Sequence, residues 1–135
     1  MLSANALSNI RVAVLGVTGI ICLVYASLAL LTGRPDPIPP WVPALFGVGS
    51  AAIIMIAFFS ATRRAADMAS DEGFAADNGR AHKIGYLVAL FLYPAFAAPL
   101  ALGWISWPVA YAAMGTLTAA AFLLPFVLFD LKGRL

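Results

Sequence analysis

Charge is scarce in this chain of 135 residues: 10% of them are Asp, Glu, Lys or Arg, and 63% are hydrophobic. A soluble domain of this length carries about a quarter charged residues, because its surface-to-volume ratio demands a large polar exterior. That shortage excludes an ordinary water-soluble fold, and lipid must supply the missing exterior. Cysteine is almost absent. Cys22 stands alone inside an apolar run, which excludes an intrachain disulfide and a thiolate metal cluster within one chain. His82 is the single imidazole, so haem or zinc would find one nitrogen ligand at most. No Ser, Cys and His combination pairs a nucleophile with a base, and no glycine-rich phosphate loop is present, since Gly73 and Gly79 are isolated. The residues therefore point to no catalytic centre, no cofactor and no enzyme activity.

The net charge of +2 does not indicate nucleic acid, because the eight basic residues are scattered and the aromatics lie inside apolar runs. What the chain has in quantity is long apolar sequence. Crossing a hydrocarbon core of about 30 Å takes roughly 20 helical residues. Four runs qualify, over 12–31, 41–61, 84–103 and 107–129. Ser8 and Asn9 are the expected caps of the first, and Thr32-Gly33 its end. The Pro39-Pro40-Trp41-Val42-Pro43 cluster opens the second, and Ser106 with Pro108 the fourth. The first run is longer than the apolar core of a signal peptide and reads as a span.

Only Trp104-Ile105-Ser106 separates the last two runs, which makes them an antiparallel hairpin. The expected fold is an all-α membrane protein of four transmembrane helices in two antiparallel hairpins, a single integral membrane domain over residues 1–135. Basic residues near spans are retained on the cytoplasmic side. Arg11, Arg63, Arg64, Arg80, Lys83, Lys132 and Arg134 fall on one side and Arg34 alone on the other, so both termini are expected inside. Trp41, Trp104 and Trp107 all fall at the opposite ends of the spans, where indole rings favour headgroups.

No ionisable residue lies inside the four expected spans, which argues against a coupled transporter of the small multidrug-exporter kind, built on a glutamate in its first helix. The hydroxyls of Thr18, Tyr25, Ser27, Ser50, Tyr93, Tyr111, Thr116 and Thr118 are expected to bond within or between helices. Small residues four apart, Gly47 with Ala51 and Gly115 with Ala119 among them, permit close helix approach. Pro94, Pro99 and Pro125 each remove a backbone donor, freeing the carbonyls of Leu90, Ala95 and Ala121, and mark candidate kinks.

The segment 62–83 is the one polar stretch of any size and reads as a cytoplasmic loop. Arg63, Arg64, Asp71, Glu72, Arg80, His82 and Lys83 are its candidate interaction residues. Arg63 and Arg64 suit anionic headgroups, Asp71-Glu72 and Asp77-Asn78-Gly79 read as turn and helix-start signals, and His82 beside Lys83 reads as a headgroup contact. A metal site from Asp67, Asp71, Glu72, Asp77 and His82 is disfavoured for want of an organised loop.

Asp71 and Glu72, followed by a basic Arg80, then Ala81 and Tyr86, form a pattern ahead of the third span. In this the chain resembles a group of small prokaryotic four-helix membrane proteins of unknown function, although Gly73 stands where that group usually has a basic residue. The resemblance implies a four-helix layout in a prokaryotic cytoplasmic membrane and carries no activity. The expected function is that of an accessory, scaffold or interaction subunit, with the bilayer, a second copy or another membrane protein as partner. A small oligomeric transporter or channel is the alternative.

Overall fold

The computed structural model describes residues 2–133, which form five helices and no strand: α1 (Ala4–Thr32), α2 (Trp41–Phe59), α3 (Arg63–Ala69), α4 (Glu72–Ala101) and α5 (Trp107–Lys132). Four of them, α1, α2, α4 and α5, are long and apolar enough to cross a membrane. At 1.5 Å per residue, the 29 residues of α1 and 30 of α4 extend about 45 Å, well past a hydrocarbon core of about 30 Å. Each therefore has turns to spare beyond the apolar layer.

Those extra turns correct three sequence expectations. First, α1 begins at Ala4 rather than near residue 12. Its cap is Ser3, whose hydroxyl accepts from the Ala6 N–H at 3.3 Å, and Ser8 and Asn9 lie inside the helix. Second, 62–83 is not a loop. Thr62 caps α3 through the Ala65 N–H, and Asp71 caps α4 through the Phe74 N–H at 3.0 Å, so 72–83 belongs to α4. Asp77-Asn78-Gly79, expected as a turn, is helical. Third, α1 and α5 run past the expected spans to include Arg11 and Asp130, expected as boundary residues, although the spans themselves stay free of ionisable groups. Arg134, counted among the basic residues, lies outside the described residues.

Other boundaries fall close to expectation. Gly33 ends α1 at φ 65°, the left-handed conformation that glycine adopts without a Cβ penalty. Helix α2 stops at Phe59 and α4 at Ala101, each two residues short of the expected span. Pro94, Pro99 and Pro125 all sit within continuous helix, and the Pro99 carbonyl accepts from the Trp104 N–H at 2.9 Å just past the end of α4.

Packing is organised around α5, which touches α1 on one side and α4 on the other, while α2 packs on α1. Glycine sets the separation on both sides of α5. A Cβ at Gly19 of α1 would lie 2.9 Å from Leu124 Cδ2 and 3.1 Å from Leu123 Cβ, and one at Gly85 of α4 would lie 3.1 Å from Phe122 Cβ. Many of the buried residues are small, Ala26 and Ala29 on α1, Ala81 on α4, and Ala110, Ala113 and Ala120 on α5, with Phe96, Val109 and Phe126 among the larger ones. In lipid, where burying apolar surface gains little over the hydrocarbon itself, such close backbone approach is a main source of helix cohesion. Gly47 and Gly115 have no heavy atom within 4 Å of a built Cβ, so neither is a packing notch within this chain.

Candidate functional site

Asp130 puts an anion in the last turn of α5, against the local partial charge of the helix dipole. Arg11, in the third turn of α1 and far away in sequence, supplies the counter-charge. Arg11 Nη2 meets Asp130 Oδ1 at 3.0 Å, with the two side chains 6% and 10% exposed. The Ser8 hydroxyl lies 3.5 Å from both Arg11 Nη2 and Asp130 Oδ2.

The guanidinium is held on its other edges too. Arg11 Nη1 donates to the Ala69 carbonyl, the last residue of α3, at 2.9 Å. Its plane lies over the Phe74 ring of α4, 4.1 Å from the centroid, with Phe126 of α5 at 5.5 Å. Phe74 and Phe126 themselves meet edge to face at 5.7 Å. Nε has no hydrogen-bond partner and is buried, and the adjacent ring face is the electron-rich surface that such an N–H tolerates. One side chain thus touches α3, α4 and α5 from α1.

Beside this cluster lies a cavity of about 570 Å³. Asn5, Ser8, Asn9 and Arg11 line it from α1, Met68 and Ala69 from α3, Asp71, Phe74 and Asp77 from α4, and Asp130 from α5. Three carboxylates against one guanidinium make its wall acidic. Among the described residues, no three His, Cys, Asp or Glu side chains converge as a metal site.

The sequence-predicted site residues are dispersed rather than gathered. Arg63 and Arg64 are exposed on the first turn of α3. Asp71 and Glu72 start α4, the first as its cap and the second exposed in its first turn. Arg80 is exposed and 3.7 Å from Asp77 one turn earlier. His82 donates from Nδ1 to the Asn78 carbonyl at 2.9 Å, and its ring lies 4.4 Å from that of Phe122, so it packs on α5 as well as facing outward. Lys83 is exposed. Of the seven, Asp71 alone reaches the cavity.

Six of the eight hydroxyls expected to bond within or between helices do so; Tyr93 and Tyr111 do not, because each is 70% exposed and makes no hydrogen bond among the described residues. Thr18 and Ser50 bond across α1 and α2 at 2.5 Å, with the Val14 carbonyl taking the Thr18 proton at 2.9 Å. Tyr25 donates to the Pro35 carbonyl at 2.9 Å, and Ser27, Thr116 and Thr118 each bond one turn back. Comparison of the chain with family models, with curated proteins and with solved structures gives no match in any of the three. Its class therefore rests on the helices themselves: four apolar helices compatible with a multi-pass membrane protein.

Proposed function

We propose that this chain is a multi-pass membrane protein that acts through contacts, as an accessory, scaffold or interaction subunit, with no catalytic role. Its spans form two antiparallel hairpins in the cytoplasmic membrane of a prokaryote, and both termini with α3 face the cytoplasm. The observation that carries this reading is the division of chemistry along the helices. Thr18, Ser50, Tyr25, Thr116 and Thr118 are paired inside the chain, and α2 and α4 turn long, largely apolar faces outward. Val48, Met55, Ile56 and Phe59 on α2 and Tyr86, Phe91 and Tyr93 on α4 are 58% to 84% exposed. A second copy or another membrane protein would meet lipid-depth apolar surface there, where van der Waals packing drives association. An oligomeric transporter would instead need a row of polar groups left over to line a path, and Thr18, Ser50, Tyr25 and Thr116 are already bonded to the protein, which leaves the exposed hydroxyls of Tyr93 and Tyr111.

Photo-crosslinkers placed at Val48 and Phe91 in native membranes test this. A discrete adduct, of a second copy or of one other membrane protein, is the expected outcome, and lipid-only adducts at both positions overturn it. Purified protein in liposomes should leave ion and small-solute flux unchanged. Reporters fused after Ser70 and after Asp36 should read cytoplasmic and external respectively.

A further inference from the structure

Helix α3 is bounded by backbone breaks. Thr62 is extended at ψ 150°, Ser70 leaves the helical region at φ −119° and ψ 34°, and Asp71 is extended at ψ −178°. Seven residues are too few for a helix to hold itself together in water, so docking must stabilise it. That docking is slight. Ala69 is the buried residue of α3, set in a small apolar cluster with Leu7 and Ala57, and Met68 is 61% exposed although it lines the cavity. Among the described residues, the hydrogen bond joining α3 to another helix is the one from Arg11 Nη1 to the Ala69 carbonyl.

Arg11 is in turn aimed by groups outside α3. Asp130 of α5 fixes one edge of the guanidinium, and Phe74 of α4 fixes its face. We propose that α3 is a hinged flap over the polar cavity and that Arg11 is its latch, set by Asp130, so that the position of the α5 end decides whether the flap is closed. With the pair made, Ala69 is held and the Met68–Ala69 wall closes that side of the cavity. With the pair broken, Arg11 leaves the Ala69 carbonyl without a donor and α3 swings on its two hinges. This goes beyond the contact function proposed above and stands whether or not a partner is found.

Distance measurements between spin labels in nanodiscs test it, in a Cys22→Ala background. One label pair, Met68→Cys with Lys83→Cys, reads the flap; another, Leu31→Cys with Tyr111→Cys, reads α1 against α5 at the far end of the molecule. The informative protein is the double variant Arg11→Met with Asp130→Leu, which removes both charges together and leaves no buried ion unpaired. The expected result is a flap distance that broadens and shifts by about 5 Å, one helical turn, with the far-end distance unchanged. Asp130→Asn, which keeps Arg11 and an acceptor, should shift the flap less. An unchanged flap distance in the double variant overturns the proposal. Loss of the far-end distance together with the flap distance also overturns it, because the pair would then hold the whole bundle rather than α3.

Discussion

Removing Arg11 alone should be among the most damaging single changes in this chain, and removing Asp130 as well should undo much of the damage. In Arg11→Met the carboxylate of Asp130, 10% exposed, loses the cation 3.0 Å away. Breaking a buried pair in this way costs about 3–5 kcal/mol, because the carboxylate keeps only its lesser contacts, the Ser8 hydroxyl among them. In the double variant Arg11→Met with Asp130→Leu both charges of the pair are gone, and the Met side chain can lie on the Phe74 and Phe126 rings that the guanidinium covered. What remains is the orphaned Ala69 carbonyl, worth about 1–3 kcal/mol. The double variant should therefore lie below the wild type by roughly that amount and above Arg11→Met by about 1–3 kcal/mol, a coupling typical of residues in contact. Reversible unfolding in mixed micelles with increasing SDS gives the four values of the cycle. Additive costs within about 0.5 kcal/mol would show that the two groups act independently, and the ion pair would have no energetic role.

The glycine notches allow sharper contrasts. Gly19→Val drives methyl groups into Leu123 and Leu124 and should destabilise by about 1–3 kcal/mol in the same assay, whereas Gly47→Val, with nothing within 4 Å, should be neutral. Gly85→Val meets the Phe122 backbone as well as its side chain, 3.4 Å away at Cα, and should loosen α4 from α5, read as raised amide exchange along 81–89. Ser50→Ala should cost little, about 0.6 kcal/mol, because Thr18 keeps its bond to the Val14 carbonyl; a loss above about 2 kcal/mol would mean that the hydroxyl pair does more than join two helices.

The four long helices were legible because apolar length is a physical requirement that few other structures share. Their polar extensions were not. Asn5, Ser8 and Asn9 compete with helical hydrogen bonding through their own side chains and read as a loop with caps, yet Leu7, Arg11 and the α3 contact hold that stretch helical. Asp77-Asn78-Gly79 carries every local mark of a turn. Tertiary packing overrides it, with Phe74 fixed against Phe126 on one side and Ala81 buried on the other. Asp71, one of the turn and helix-start signals ahead of the third span, caps an α4 that begins at Glu72, twelve residues before the expected start near 84.

The ion pair was missed for a simple reason. Arg11 and Asp130 each lie one residue beyond the expected spans, where a charge looks like an ordinary boundary residue. A usable signal was present at Asp130 alone, an anion late in α5 against the helix dipole, since such a misfit calls for a counter-charge. The seven ionisable residues expected to form an interaction loop lie instead along α3 and α4, because a charge that faces water needs no partner to gather it.

The pairing of Arg11 with Asp130 also sets a clock on the making of this protein. The two residues are 119 positions apart, so at 5–20 residues per second about 6 to 24 s pass between synthesis of the cation and synthesis of its anion. During that interval α1 gains α2 as a neighbour, but until α5 is complete it has neither its main packing partner nor its counter-charge. Insertion of the first span and completion of its structure are thus separate events, and the last turn of the last helix is what finishes the first.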